Sequence, residues 1–462
     1  MQSISNLNKI EKINYCYLFI IGLLAISIST VALLGIKGLI LAILAVSVLI
    51  ITPFLYNKPK IFLFFSLFVY PLTRFFQMED KFVITGVLYT LSVPCAFWLI
   101  NKYFRQVSTK SFYLWAIAMY IAVVLLNFFR PDIIDLVKEF GRSFFAIFTV
   151  LSVYDYVKSK PENLQKLSKY LSYILNIIAL IAITQYFTGI GGMMNQGFYR
   201  VRGTFFNFND YGFVLSLFIC FALYILLNSQ NFKQRFYWAA TIGLNIAALI
   251  GTFSKTAIIN TALIFFVMSI FLPWKRRLQL FGSFLTIGTV LFIFLSKTGA
   301  LNTLFMRFGN TSSLQWRFEM WRILYDSILQ GNIWIGQGAN ASRNFLQFVV
   351  NAGESFAPHN VYLETTYNFG LLGLIPFILI FILILFQGIS IFFSQETINN
   401  QSKMIGISII TITLITMVQN FVSNAFYDRS GNIFFWVILT LLICWNDYHK
   451  SKNAHVIARS ET

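Results

Sequence analysis

Long apolar runs alternate with short polar ones along almost the whole chain, and the polar stretches are not all alike. Uncharged or nearly uncharged runs of about 18 residues recur from Tyr15 onward, each long enough to cross a bilayer as a helix. Inside lipid the backbone has no water to bond, so such runs are helical or do not span. The expected spans begin with Tyr15 to Leu34, one ending near Tyr56, Ile61 to Phe76, one ending near Ile100, Phe112 to Phe129, and one ending near Tyr156. Carried to the C-terminus, the pattern predicts an all-α polytopic membrane protein with about 12–14 transmembrane helices. The uncertainty in that number comes from Ile61 to Phe76 and Gly141 to Tyr156, either of which also suits a re-entrant or interfacial segment.

The polar stretches sort by charge. Lys102, Arg105 and Lys110 fall in one loop, and KSKPENLQKLSK, Lys233 with Arg235, Lys275 to Arg277, Lys403 and the tail after Asp447 continue the series. Unbalanced Lys and Arg mark cytoplasmic loops, which places both termini inside. The loops between them are then external: Gly189 to Asn209, the turn at Ser254 and Lys255, and the long segment Lys297 to Asn360. The expected division is a bundle over 1–296, an external segment over 297–360, further spans over 361–446 and a basic cytoplasmic tail over 447–462. Within the external segment, SLQWRFEMWRILYDSIL reads as an amphipathic helix, with Trp316, Met320, Ile323 and Leu324 on one stripe and Arg322 and Asp326 four residues apart. Gly336 and Gly338 in WIGQGAN end the helical pattern.

Composition agrees with a membrane protein, at 57% hydrophobic and only 11% charged residues. The net charge of +18 is dispersed through short loops, which argues against nucleic-acid binding and for a membrane surface and an anionic substrate. Cys16, Cys95, Cys220 and Cys444 lie far apart inside apolar runs, without metal-ligand spacing or a disulfide framework. The first apolar run lacks a small-residue cleavage site and is expected to remain as the first span.

The candidate chemistry lies on the external side. His449 and His455 belong to the basic tail, whereas His359 ends the external segment just before an apolar run. A neutral imidazole there can accept a proton from a hydroxyl. Arg200, Arg202, Lys255, Arg307, Arg317, Arg322 and Arg343 share that side of the membrane. An external active site has no cytoplasmic ATP or sugar nucleotide, so a lipid-linked diphosphate sugar is the expected high-energy donor. Arginine forks suit the charge developing on its phosphate oxygens. The external carboxylates Asp210, Glu319, Asp326 and Glu354 form no Asp-x-Asp pair, so a metal-independent site without a cofactor is expected.

These residues resemble the O-antigen ligase and O-antigen polymerase superfamily. His359-Asn360 followed nine residues later by Gly370-Leu371-Leu372-Gly373 matches its signature, and RVRGTFFNFNDYG, TFSKTA, RFEMWR and WIGQGAN are similar to its upstream segments in the same order. Two positions depart: Phe208 precedes Asn209 where proline is frequent, and Lys255 stands where arginine is usual. The resemblance implies a glycosyltransferase of the inner membrane with its site facing the periplasm. Its donor would be an undecaprenyl diphosphate-linked glycan, and its acceptor a hydroxyl of the lipid A core or of another lipid-linked glycan. His359 is the expected catalytic base, with Arg200, Arg202, Lys255, Arg317, Arg322 and Asn360 binding the diphosphate or glycan. Transfer to protein hydroxyls is a related possibility. A transporter or flippase of lipid-linked glycans would also explain many spans and a basic cavity, but such proteins often have similar halves and ionisable residues within spans. A purely structural assembly protein leaves the placement of His359 and the arginines without explanation.

Overall fold

A computed structural model describes residues 59–69, 71, 95–96, 98–103, 106–107, 109, 111–127, 133–195, 197–205, 207–297, 299–350, 357–394, 400–424 and 429–460. The expected spans before Tyr56 lie outside these residues. α1 (Pro59–Val69) covers the start of the run from Ile61, followed by α2 (Tyr113–Leu126), α3 (Ile133–Ser159) and α4 (Glu162–Thr188). A short antiparallel hairpin, β1 (Met193–Asn195) and β2 (Phe198–Arg200), leads into α5 (Phe208–Asn228), α6 (Phe232–Gly251), α7 (Lys255–Ile270) and α8 (Trp274–Lys297). Three short helices follow, α9 (Ala300–Gly309), α10 (Ser312–Gln330) and α11 (Ala341–Val350). The chain then re-enters the bundle through α12 (Val361–Phe393), α13 (Asn400–Val422) and α14 (Arg429–Ser460). Five helices among the described residues, α4, α5, α12, α13 and α14, are long and apolar enough over their central parts to cross a membrane. This is an all-α polytopic membrane fold.

α5 sits at its centre. Every residue from Phe208 to Tyr224 except Asn209 is buried, as expected of a helix that is apolar all round. α6, α7, α13 and α14 enclose it. Interhelical contact elsewhere uses small and amide side chains, since apolar burial alone gives no drive between helices in lipid. A Cβ on Gly406 of α13 would fall on the Gly388 carbonyl of α12, so only glycine permits that approach. Asn245 of α6 bonds Asn176 of α4 at 2.8 Å, and Asn260 of α7 bonds Gln419 of α13 at 3.1 Å.

Helix direction determines what gathers at each end. α4 runs from the lysine-rich loop at 158–169 to the hairpin, α5 returns, and α6 climbs again to the turn at Thr252. The hairpin, the Thr252 turn and the start of α5 therefore share one end of the bundle. Val201 N–H donates to the Gly251 carbonyl at 3.0 Å, tying two of them together.

α10 forms where the sequence pattern predicts it, with Met320, Trp321, Leu324 and Ile328 buried. Arg322 and Asp326 make no ion pair there. The segment that holds α9, α10 and α11 is joined to α12 through a break in that helix. Gly370 has φ 65° and ψ −166°, a conformation almost confined to glycine. The break frees backbone groups on both sides, and the loop after α10 takes them up. Gln337 and Gly338 N–H donate to the Tyr367 and Asn368 carbonyls at 2.8 Å, while Leu371 and Leu372 N–H donate to Ile333 and Trp334 carbonyls at 2.8 and 3.1 Å. A Cβ on Gly370 would strike the Trp334 carbonyl, and one on Gly336 would strike the Gly370 backbone. The strained backbone alone makes Gly370→Ala cost about 1–3 kcal/mol. We expect limited proteolysis to cut the 299–350 segment of this variant faster than in the parent, and an unchanged digestion pattern would show that the break does not hold the segment in place.

Candidate active site

Arg200 is the anchor of the site. It ends β2, is only 1% exposed, and lies with its guanidinium 3.3 Å above the Phe208 ring centroid. Its Nε donates to the Thr252 carbonyl at 2.7 Å and its Nη2 to Asn209 Oδ1 at 3.2 Å. Asn209 Oδ1 also accepts from Ser254 Oγ at 3.0 Å, so hairpin, α5 and the α6–α7 turn meet on one amide oxygen. The turn is tight enough to hold Phe253 at φ 47°. These partners are neutral, so the Arg200 charge has no counter-ion among the described residues.

Other cations face it. Lys255, the first residue of α7, donates to the Asn310 carbonyl at 2.7 Å and lies in the field of Arg307, Arg317 and Arg200. Arg307 comes from α9 and Arg317 from α10. Burial, together with the charges of Arg307 and Arg317, holds Arg200 well below the usual arginine range. Burial and the charge of Arg307 also lower Arg317. A guanidinium keeps its proton regardless, so these shifts represent the electrostatic cost of gathering cations. Among the described residues, no carboxylate lies within ion-pair distance of Arg200, Lys255 or Arg317.

His359 stands at the edge of this group. Its backbone is left-handed at φ 54° and its ring meets Trp316 edge to face at 6.0 Å. Trp321 Nε1 donates to the preceding Pro358 carbonyl at 2.8 Å. Asn360 then caps α12, its Oδ1 accepting from Leu363 N–H at 3.1 Å. Burial, then Arg317, then Arg343 push the imidazole down to about 4. The ring is therefore neutral near pH 7, a proton acceptor and not a fixed cation.

The residues singled out in the sequence divide into two sets. Arg200, Lys255, Arg317 and His359 come together from four segments. Asn360 is buried, with its side-chain oxygen engaged in the helix cap. Arg202 is held through its backbone by Gln185 Oε1 at 3.2 Å. Arg322 is exposed on α10, five residues and about 140° around the helix from Arg317. Arg307 and Arg343, which the motifs did not single out, do act on the site. Arg343 Nε pairs with Glu364 Oε1 at 2.8 Å, and Asn424 bonds the other carboxylate oxygen at 2.8 Å. Glu364, a carboxylate buried in the first turn of α12, was the available signal for Arg343, because such a group needs a partner. Among the described residues, no three His, Cys, Asp or Glu side chains cluster as a metal ion would need.

Residues 240–378 match the family model described as O-antigen ligase, so this part of the chain is similar to that family. The match takes in Lys255, Arg307, Arg317, Arg343 and His359, and the bundle brings Arg200 to them from outside it. No curated protein matches the chain.

Loss of a charge-assisted contact to an anionic ligand costs about 1.5–3 kcal/mol. Arg200→Gln and Arg317→Gln are expected to lower glycan transfer by about tenfold or more at normal expression. Arg322→Gln should leave the rate within about twofold, since a surface charge away from the site contributes little. Equal losses in all three variants, measured with purified protein, would mean that the cluster is not the binding site.

Proposed function

We propose that this protein acts as an O-antigen ligase-type glycosyltransferase, moving glycan from an undecaprenyl diphosphate-linked donor to a sugar hydroxyl on the periplasmic face of the inner membrane. The observation that carries the reading is a neutral His359 beside Arg200, Lys255 and Arg317, which have no carboxylate at ion-pair distance among the described residues. Arg200, Arg317 and Lys255, with Arg307, would bind the donor diphosphate and neutralise charge as it leaves. The acceptor oxygen attacks the anomeric carbon as the bond from that carbon to the diphosphate oxygen breaks. The electron pair leaves on undecaprenyl diphosphate, and His359 takes the acceptor proton. The positive charge comes from side chains, so we read the step as metal-independent. The acceptor is a hydroxyl of the lipid A core or of a second lipid-linked glycan, and ligase and polymerase chemistry are the same at this centre.

Orientation is tested by labelling. Cysteines placed at Asn195 and Ser312 should react with an impermeant thiol reagent in intact cells, and one at Ser159 should not. The described native cysteines are buried and give a low background. Reaction at Ser159 alone would reverse the assignment of faces.

The base assignment has a pH signature. Unperturbed, His359 would lose activity below about 6.5. Its burial near Arg317 and Arg343 lowers this, so kcat/KM should hold down to about 4 and fall as the ring protonates. Bound diphosphate offsets the cations, so the fall in kcat should come at higher pH than the fall in kcat/KM. His359→Ala should reduce transfer by about a hundredfold to ten-thousandfold with donor binding retained, and EDTA should leave the wild-type rate unchanged. A rate that rises in acid and survives His359→Arg would instead make His359 a phosphate-binding cation.

A further inference from the structure

At the end of the bundle opposite the cluster lies a cavity of about 420 Å³. Its walls come from the first turns of α4, the last turn of α5, the start of α6 and the start of α13, closed by Trp445 and His449 of α14. α5 is lined by the cluster at Asn209 and by this cavity at Tyr224 to Ser229, so roughly 20–30 Å of helix separates the two. They are distinct sites.

The lining has a consistent chemistry. Lys169 and Lys233 supply positive charge, no carboxylate lines the space, and neither lysine has an ion-pair partner among the described residues. His449 lies over Trp445 with ring centroids 5.5 Å apart and 26° between planes, and its Nε2 is 3.3 Å from the Tyr224 hydroxyl. Amides of Asn228, Gln234 and Gln401 line the remainder. Flat rings with amide donors and acceptors suit a polyol, and two lysines suit a phosphate. Beside this lining, Phe232 and Phe236 of α6 project outward at 79% and 68% exposure. Large apolar side chains exposed together suit contact with lipid chains beside the cavity.

We propose that this cavity binds a phosphate-bearing polyol headgroup, with Lys169 and Lys233 on the phosphate and the Trp445–His449 stack and amides on the polyol. The outward phenylalanines favour a headgroup attached to lipid, that is, an anionic glycerophospholipid of the leaflet at that end. Basic residues at a bilayer surface attract such lipids independently of any role in catalysis. The inference does not depend on the proposed glycosyl transfer.

Native mass spectrometry of the full chain in detergent tests it, with phosphatidylglycerol and phosphatidylcholine as probes. Wild type should retain phosphatidylglycerol in preference to phosphatidylcholine. Lys169→Gln with Lys233→Gln should weaken that retention by about tenfold or more. Gln234→Trp keeps both charges but fills the cavity from an exposed helix position, and should weaken it as well. It also decides the matter if the double variant does not fold. Displacement of phosphatidylglycerol by millimolar glycerol phosphate, with protection of the protein against heat, would support the phosphate site and identify a soluble compound as its occupant. Equal retention of phosphatidylglycerol by wild type, the double variant and Gln234→Trp would overturn the proposal.

Discussion

The structure of the segment before α12 depends on a seam of backbone hydrogen bonds between two broken pieces of chain. A helix cannot leave carbonyls and amides unpaired at the membrane without a cost of several kcal/mol for each group. α12 nevertheless breaks at Gly370, and the loop from Ile333 to Gly338 supplies the missing partners on both sides of the break. The approach is so close that Gly336 and Gly370 have no room for a side chain. Once the loop is seated, its neighbours follow: Ser342 N–H reaches the Asn368 amide, and Arg343 reaches Glu364. α10 lies above, and its Trp321 holds the Pro358 carbonyl. The position of His359 is thus determined from three directions, none of which involves its own ring.

The electrostatics of the site run against its stability. Burying arginines beside one another is unfavourable, and protein interiors usually supply a carboxylate to each. Among the described residues that rule is followed at Arg343 with Glu364 and at Arg142 with Glu139, and is not followed at Arg200 and Arg317. Local rules are most often broken where a protein binds or reacts. Arg200 is held in place by neutral acceptors and the Phe208 face, which fix its direction without cancelling its charge. On the proposed reading, that arrangement leaves the positive field free for the donor diphosphate.

Much of this was legible in the sequence, for identifiable reasons. Spans were readable because lipid imposes one backbone solution, and α10 because its apolar stripe has helical period. The gathering of Arg200, Lys255, Arg317 and His359 followed from charge alternation in loops, which sorts residues by membrane side before any contact is known. What loops cannot show is direction. Arg317 and Arg322 belong to one motif, RFEMWR, yet five residues of helix turn them to different faces. The resemblance marks Asn360 beside the histidine, and the structure adds that its side-chain oxygen caps α12. The hairpin at Met193 to Arg200 has too few residues for a strand pattern to stand out. Gly370 reads in sequence as a flexible residue inside an apolar run, and its necessity appears only when the Trp334 carbonyl is seen to occupy the space of its side chain.

The two arginines that act on His359 do so on different terms. Arg343 is neutralised by Glu364 at 2.8 Å, so its effect on the ring is what remains of a paired charge and changes little with ligand. Arg317 has no such partner, and its effect on the ring is fully present until an anion arrives. Without donor, His359 is a weak base, because protonating it would add one more charge to a crowd of cations. On the proposed reading, a diphosphate at Arg200 and Arg317 removes that penalty while bringing the anomeric carbon to the acceptor. The ring then becomes a better proton acceptor at the moment it faces the hydroxyl. Charges that bind the donor would in this way also restrain the base until the donor is bound, which disfavours deprotonation of water in the empty site.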